Sequence, residues 1–209
     1  MPGQPTAKIA EIFAGIQGEG LRLGRPALFV RLAGCNLRCS FCDTKNAWSG
    51  GRTMTVEAIA AALKRNRKDW SGDWICLTGG EPLTQDIGPL VDRFHRDGFR
   101  IQVETNGTIF QDHALDWVTV SPKPPRYEVA PGFPGRTREV KLVVSGELTL
   151  PAVRRVRADF PASVPIFLQP DSNRGESRER AVRLLKRALA EGLGEIRLGV
   201  QLHRIFGLR

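Results

Sequence analysis

Cysteine and histidine are scarce in this sequence, with four and three residues among 209. A disulfide framework is not expected, because the cysteines are few and three of them form one group, an odd number that cannot pair completely. No apolar run approaches the roughly 20 residues that a membrane-spanning helix requires. The first eight residues contain no apolar segment of the signal-peptide type. We therefore expect a cytoplasmic protein whose cysteines stay reduced and which has no membrane partner.

Acidic residues are also under-represented, with 22 against 31 basic residues, which gives a net charge of +9. A basic surface can bind nucleic acid, but the sequence has no helix-turn-helix, RNA-recognition or zinc-finger pattern. We therefore expect no nucleic-acid partner. Solvated arginine-rich faces explain the charge more simply, and a basic rim could also attract an anionic substrate or an acidic electron donor.

The order of the segments predicts the fold class. Strands are predicted at 9–16, 27–32, 74–78, 99–103, 117–120, 139–144, 165–169 and 195–201, and helices at 56–66, 87–94, 150–158 and 176–191. Alternating strands and helices favour a mostly parallel sheet. A full (β/α)8 barrel needs about 250 residues. We therefore predict an α/β fold in a single domain, 1–209: a partial barrel of about six mostly parallel strands with few complete helices.

Three cysteines lie within eight residues, in the spacing C-x3-C-x2-C, at Cys35, Cys39 and Cys42. Three thiolates on one loop can hold a [4Fe–4S] cluster and leave one iron without a protein ligand. A structural zinc site would need a fourth ligand, and the candidates Cys76, His95, His113 and His203 do not lie at a usual finger spacing. Cys76 lies in an apolar strand and is expected to be a core residue.

Other polar positions are ambiguous on their own. Arg31 interrupts an apolar strand, so it faces either solvent on the outer side of the sheet or a carboxylate-bearing ligand. The glycine-rich segment after the strand at 74–78, Gly79-Gly80-Glu81-Pro82, is either a tight strand-to-helix turn or a place where backbone groups meet a ligand. The segment 17–20 is either a plain hairpin turn or a polar binding loop.

The cysteine motif, with Phe41 before its last cysteine, resembles that of the radical S-adenosylmethionine superfamily, and the segment 79–82 resembles the glycine-rich motif of that superfamily. Further motifs occur in a specific order and together resemble the 7-carboxy-7-deazaguanine synthase family, whose product leads to the tRNA nucleoside queuosine. These are Gln17-Gly18-Glu19-Gly20, Arg25-Pro26, Cys42-Asp43-Thr44, Glu104-Thr105-Asn106-Gly107, Ser121-Pro122-Lys123, Gln169-Pro170 and Gln201-Leu202-His203.

The resemblance implies roles for matching residues. A [4Fe–4S] cluster would be held by Cys35, Cys39 and Cys42, and Mg²⁺ by the hydroxyl of Thr44. S-adenosylmethionine would be contacted by Gly80, Glu104, Ser121, Pro122, Lys123, Gln169, Pro170 and Asp171. The pterin substrate would be contacted by Ile16, Gln17, Gly18, Arg31, Thr78, His203 and the terminal Arg209. The resemblance assigns no side chain as the catalytic acid or base.

The resemblance also implies a reaction. One electron from the cluster would cleave S-adenosylmethionine, and the resulting radical would convert 6-carboxy-5,6,7,8-tetrahydropterin to 7-carboxy-7-deazaguanine with loss of ammonia. A reduced flavodoxin-type or ferredoxin-type donor and a homodimer are implied as partners. Two alternatives stay open, namely a protein that activates a glycyl-radical enzyme and a non-enzymatic zinc-binding module.

Overall fold

The computed structural model describes residues 3–67 and 72–208, which contain nine strands and five α-helices. The strands are β1 (Thr6–Ile16), β2 (Pro26–Leu32), β3 (Arg52–Thr55), β4 (Trp74–Gly79), β5 (Arg100–Thr105), β6 (Trp117–Val120), β7 (Glu139–Val144), β8 (Ile166–Pro170) and β9 (Ile196–Leu198). The helices are α1 (Val56–Asn66), α2 (Gly88–Arg96), α3 (Leu150–Asp159), α4 (Gly175–Ala190) and α5 (Leu202–Phe206).

The chain forms two compact units. The first contains the chain up to Ile16 together with Arg25–Thr105 and Gln111–Trp117, and the second contains Gln17–Gly24, Asn106–Phe110 and the chain from Val118 onwards. Each unit has its own strands and helices. The prediction of a single domain, 1–209, stays a prediction.

The first unit contains a five-stranded arrangement in the order β3-β1-β2-β4-β5. Strands β2, β4 and β5 are parallel, whereas β1 pairs antiparallel with both β2 and β3. Helix α1 packs on β1 and α2, and α2 also packs on β5. The alternation of side chains along β2 divides them between two faces: Leu28 and Val30 are fully buried on one, while Phe29 and Arg31 lie on the other.

The second face of this unit has an aromatic core. Phe13 and Phe29 stack with ring centroids 4.9 Å apart, and Ala27 and Cys76 are buried in the same cluster. Cys76 has no exposed surface, which confirms its prediction as a core residue. Further along β2 and β4, the same face becomes polar at Arg31 and Thr78. Their side chains therefore lie next to the aromatic core.

The second unit contains the parallel strands β6, β7, β8 and β9 in that order. Helix α4 packs on β7, β8 and β9 and also contacts α3. Loop structure rather than a helix connects β6 to β7. The backbone of this connection is held partly by Thr137, whose hydroxyl donates to the carbonyl of Phe133 at 2.8 Å.

The predicted fold class is confirmed, because the strands are mostly parallel and few helices are complete. Residues 3–67 and 72–208 contain nine strands, against about six expected for the partial barrel. Eight of them overlap predicted strand ranges, and β3, which pairs antiparallel with β1, was not predicted. Helix α1 lies where it was predicted, and the hydroxyl of Thr55 caps it by accepting from the N–H of Ala58 at 3.2 Å. Among the described residues, no helix is both long and apolar enough to cross a bilayer.

Candidate functional site

The cysteine loop follows β2 directly, and backbone hydrogen bonds close it at its base. The N–H of Gly34 donates to the carbonyl of Ala47 at 2.9 Å, and the N–H of Cys42 donates to that of Cys39 at 3.1 Å. The three loop cysteines, Cys35, Cys39 and Cys42, are partly exposed, and all are free thiols. The three cysteines therefore lie on a partly exposed loop whose base is fixed by backbone bonds.

Two sulfur atoms of this loop accept hydrogen bonds from backbone N–H groups. Leu37 donates to the Sγ of Cys35, and Thr44 donates to the Sγ of Cys42, each at 3.4 Å. Such hydrogen bonds stabilise a thiolate and tune the potential of a cluster that it binds.

The surroundings of Cys35 disfavour the ionised form of its thiol. Burial raises the pKa of the Cys35 thiol, the N–H of Leu37 lowers it, and the negative charges of Glu81, Cys39 and Cys42 raise it again. Cys35 is thus close enough to Cys39 and Cys42 to be repelled by them as anions, and positively charged iron would remove that repulsion.

The donor set fits a cluster with three cysteine ligands. Within residues 3–67 and 72–208, no group of three or more His, Cys, Asp or Glu side chains is gathered as the ligands of one metal ion would be. The thiolates of a [4Fe–4S] cluster bind three different irons, so they stand further apart than the ligands of a single ion. Three free thiols on one loop supply the number of protein ligands that such a cluster with one open iron needs.

The glycine-rich turn after β4 packs tightly on the cysteine loop. The N–H of Gly80 donates to the carbonyl of Leu32 at 3.1 Å, and the N–H of Glu81 donates to that of Gly34 at 2.7 Å. A Cβ on Gly80 would overlap the Gly34 carbonyl oxygen and lie 2.7 Å from that of Ala47. Glycine is therefore required here for close backbone packing, as the tight-turn interpretation predicts.

Glu81 fixes the far side of this turn. Its carboxylate is fully buried and accepts from the N–H of Leu83 at 3.1 Å and from the hydroxyl of Thr105 at 2.7 Å. The turn after β4 is thereby tied to the end of β5.

Polar side chains form a row across the strand ends of the first unit. Glu11 pairs with Arg31 across β1 and β2, and Arg31 pairs in register with Thr78 of β4. The register of β4 and β5, continued by one residue beyond Leu77, places Glu104 beside Thr78. The structure thus brings three predicted site residues, Arg31, Thr78 and Glu104, into one row.

Arg31 lies above the aromatic core of this face. Its Nε is 3.5 Å from a carboxylate oxygen of Glu11, and its guanidinium lies 5.8 Å from the centroid of the Phe13 ring. Only 19% of the side chain is exposed. A partly desolvated guanidinium can bind a carboxylate strongly. The choice between an outer-face arginine and a ligand contact stays a prediction.

Thr44 is the residue that the resemblance assigns to Mg²⁺. Its hydroxyl donates to the Oδ1 of Asp43 at 2.7 Å and makes no capping bond to the short helical turn that follows. Because a hydroxyl that donates still has two lone pairs, its oxygen can accept or bind a cation.

In the second unit, the loop Gln17–Gly24 is fixed by two charged side chains of β7. Glu139 is buried, and its carboxylate accepts from the N–H of Leu21 at 2.5 Å. Lys141 is also buried, and its Nζ lies 2.6 Å from the Oε2 of Glu19. Residues two apart on a strand share a face, so β7 holds this loop at two points.

Gly18 and His203 are predicted substrate contacts, and the structure places them together. The N–H of Leu202 donates to the carbonyl of Gly18 at 2.8 Å. A Cβ on Gly18 would overlap the imidazole Nδ1 of His203 and lie 3.3 Å from its backbone nitrogen. Gln17 is buried next to them, and its Oε1 accepts from the N–H of Glu19 at 3.2 Å. Ile16, the last residue of β1, belongs to the first unit.

The segment after β6 is ordered by Ser121 and Lys123. The hydroxyl of Ser121 donates to the carbonyl of Lys141 at 2.9 Å, while the Nζ of Lys123 donates to the carbonyl of Ser121 at 2.6 Å. Pro122 between them is buried. The three predicted cofactor contacts therefore occupy one fixed backbone segment.

Gln169 at the end of β8 is the strongest ligand-binding signal in this unit. Its side chain is 2% exposed, and neither polar atom of its amide has a hydrogen-bond partner among the described residues. An unsatisfied buried amide is unfavourable, so a bound polar group is expected beside it. Pro170 next to it is buried.

Asp171 is engaged locally instead. Its carboxylate pairs with Arg174 and accepts from the hydroxyl of Ser172 at 3.1 Å, while its N–H donates to the Oγ of Ser177 at 2.7 Å. These contacts stabilise the segment that connects β8 to α4. Arg209, the remaining predicted contact, lies outside the described residues.

Sequence reasoning assigned no role to Lys141 and Gln201, although both contact Glu19. A role for Lys141 could have been predicted from the sequence, because it is a charged residue in an apolar strand, as Arg31 is. Gln201 lies within one of the motifs noted above, but its burial could not be read from its type.

Comparison with known proteins agrees with this geometry. A model of the radical SAM superfamily matches residues 30–140. A 7-carboxy-7-deazaguanine synthase from Aquifex aeolicus is 34% identical over 95% of this chain and 93% of its own length. One from Bacteroides thetaiotaomicron is 43% identical over 67% of this chain and 71% of its own length.

A solved structure is similar over nearly the whole chain. The crystal structure of QueE from Escherichia coli has a TM-score of 0.77 and 29% sequence identity, and the match covers 95% of both chains. The fold, the cysteine loop and these relatives therefore agree, and this chain belongs to the 7-carboxy-7-deazaguanine synthase family of the radical SAM superfamily.

Proposed function

We propose that this chain is a 7-carboxy-7-deazaguanine synthase. It converts 6-carboxy-5,6,7,8-tetrahydropterin to 7-carboxy-7-deazaguanine with loss of ammonia, a step of queuosine biosynthesis. The observation that carries the proposal is the loop of three free thiols, packed against the glycine-rich turn at Gly80, in a chain with relatives of this name over almost its full length.

The cofactors of the proposal are a [4Fe–4S] cluster and S-adenosylmethionine. Cys35, Cys39 and Cys42 hold the cluster, which when bound supplies the electron that cleaves S-adenosylmethionine. The orphaned amide of Gln169 supports its assignment to S-adenosylmethionine, since a polar ligand would satisfy both of its buried atoms. The other residues assigned to this cofactor are Gly80, Glu104, Ser121, Pro122, Lys123, Pro170 and Asp171.

The pterin is bound and oriented by side chains and backbone groups of this chain. Arg31 carries a partly desolvated positive charge suited to the substrate carboxylate. The contact between Gly18 and His203 supports the assignment of both to the pterin ring. Ile16, Gln17, Thr78 and Arg209 complete the proposed set. Together they position the reacting carbon and exclude water, which is the protein's share of radical catalysis.

The proposal includes the partners and the place of the reaction. The chain accepts electrons from a reduced flavodoxin-type or ferredoxin-type donor, and its net charge of +9 supports an acidic protein in that role. It works in the cytoplasm as a homodimer. Reduced thiolates, which the cluster requires, are maintained in that compartment.

Anaerobic turnover tests the activity. The reconstituted protein is incubated with dithionite, S-adenosylmethionine and 6-carboxy-5,6,7,8-tetrahydropterin, and the products are followed by mass spectrometry. We expect 7-carboxy-7-deazaguanine and ammonia in equal amounts. If S-adenosylmethionine is cleaved while the pterin is recovered unchanged, the protein acts on another substrate, such as a glycyl-radical enzyme. A colourless, iron-free protein that retains zinc would favour the binding module.

Arg31→Ala is expected to weaken pterin binding about ten- to a hundredfold and to leave S-adenosylmethionine binding unchanged. The reason is that a hydrogen bond to a charged group is worth roughly 1.5–3 kcal/mol. Calorimetry with each ligand in turn measures both affinities. Arg100→Ala is the matched control, because Arg100 also pairs with a carboxylate but is exposed. Unchanged pterin affinity in Arg31→Ala would remove Arg31 from the site.

Thr44→Val is expected to abolish most of the stimulation of turnover by added Mg²⁺ while the cluster content stays unchanged. The substitution removes the hydroxyl oxygen and keeps the shape of the side chain, and Mg²⁺ binds through few protein oxygens together with substrate and water. Turnover is titrated with Mg²⁺ in the native protein and the variant. Thr53→Val, at an exposed position of β3, is the control. Equal stimulation in native and Thr44→Val proteins would place the ion elsewhere.

A further inference from the structure

The side-chain oxygen of Gln201 is a buried acceptor that the site described so far does not use. Gln201 is 7% exposed, and among the described residues its Oε1 has no hydrogen-bond partner. A carbonyl oxygen left unpaired in the protein interior is unfavourable by enough to demand an explanation. A bound group that donates a hydrogen bond would satisfy this oxygen.

The orientation of this amide is fixed by its other end. The Nε2 of Gln201 lies 2.9 Å from the Oε1 of Glu19, and an ionised carboxylate only accepts hydrogen bonds. The NH₂ group must therefore point to Glu19, which leaves the oxygen as the free end. Lys141 occupies the second oxygen of the same carboxylate at 2.6 Å, so Glu19 cannot turn away.

The backbone of Gln201 is equally constrained. The side chain of Asn173 bonds it on both sides: its Nδ2 donates to the carbonyl of Gln201 at 2.9 Å, and its Oδ1 accepts from the N–H of Gln201 at 3.3 Å. The next residue, Leu202, donates to the carbonyl of Gly18. The free oxygen thus belongs to a fixed side chain that adjoins the contact between Gly18 and His203.

We infer that Gln201 is a specificity-determining residue whose Oε1 accepts a hydrogen bond from an N–H group of the pterin ring. This role rests on the proposed function. The pterin offers several N–H donors, and a fixed amide oxygen selects a donor at that position. Glu19 and Lys141 act as positioning residues, because they hold the amide in the orientation that presents its oxygen.

Such an arrangement discriminates strongly between related heterocycles. A ring with an N–H at the right place satisfies the buried oxygen, whereas a ring with an acceptor there leaves two unpaired acceptors facing each other. Sites built to bond a substrate N–H or O–H reject analogues that lack it far better than sites that only measure size.

Gln201→Met tests the inference, because methionine keeps the length of the side chain and removes the amide. We expect pterin affinity to fall about ten- to a hundredfold, with S-adenosylmethionine affinity and iron content unchanged, while the melting temperature falls because Glu19 loses the bond from Gln201. Affinities are measured anaerobically by calorimetry, the pterin without S-adenosylmethionine so that no turnover occurs. Gln201→Asn, which withdraws the amide by one methylene, is the milder second variant and should show a smaller loss of the same kind.

Gln111→Met is the matched control. Gln111 is also a partly buried glutamine, but its Nε2 bonds the carbonyls of Leu83 and Gln85. Its loss should lower the melting temperature and leave pterin affinity intact. Native pterin affinity in both Gln201 variants would overturn the inference, as would an equal loss for both ligands. A native protein that neither binds nor converts the pterin would overturn the proposed function, and this role with it.

Discussion

Cys39→Ala is expected to abolish turnover and to remove most of the iron and sulfide that the native protein binds. Cys39 is the middle ligand of the loop, and the two remaining thiolates, Cys35 and Cys42, cannot hold a cluster as three do. Iron and sulfide analysis after anaerobic reconstitution, together with the visible absorption spectrum, measures the loss. Full iron loading and native turnover in Cys39→Ala would contradict the assignment of the cluster to this loop.

Cys76→Ala is the control for that experiment. Cys76 is fully buried between aromatic side chains, and its Sγ lies 3.9 Å from the Oε1 of Glu104. We expect the variant to retain its cluster and to lose about 1 kcal/mol of unfolding free energy, as small core truncations do. If Cys76→Ala alone emptied the site, Cys76 would be a ligand rather than a core residue.

Gly80→Ala is expected to impair both folding and cluster binding. The added methyl group would overlap backbone carbonyls of the cysteine loop at Gly34 and Ala47, which cannot move aside as a flexible side chain can. Overpacking of this kind costs roughly 1–3 kcal/mol. We therefore expect a lower melting temperature and a reduced iron content after reconstitution. Thermal denaturation of the apo-protein separates the loss of stability from the loss of iron.

Gly146→Ala is the control for this substitution. Gly146 has open space around its Cα and no positive φ, so an added methyl group meets nothing within 4 Å. Its stability and iron content should equal those of the native protein. If Gly80→Ala kept both native stability and native iron content but bound S-adenosylmethionine weakly, Gly80 would serve the cofactor directly rather than through packing.

The regular elements could be predicted where local sequence determines them. Helix α1 was predicted to the residue, because Thr55 caps it and its apolar positions repeat at helical spacing. Strand β3 was missed, since Arg52–Thr55 is short and largely polar, and it becomes a strand only by pairing with β1. The helix α5 was also missed, because a segment of five residues is too short to show a helical period in its apolar positions.

The candidate site shows the same limit. The cysteine spacing identified the cluster loop, because all three ligands lie close together in the chain. The pairing of Lys141 with Glu19 joins residues 122 positions apart, and no local pattern in one sequence reports such a contact. Likewise, the resemblance identified Gln169, but only the structure shows that its amide is buried without a partner.

The bonds at the base of the cysteine loop have a consequence for cluster assembly. Since Gly34 is tied to both Ala47 and Glu81, the ends of the loop are joined by backbone bonds that need no metal. Most of the entropy lost in closing such a loop is therefore lost during folding of the chain rather than during metal capture. Iron and sulfide then need to order only the few residues that carry the thiolates. The apo-protein should accordingly be a folded receptor, and its cluster should be removable and restorable without denaturation.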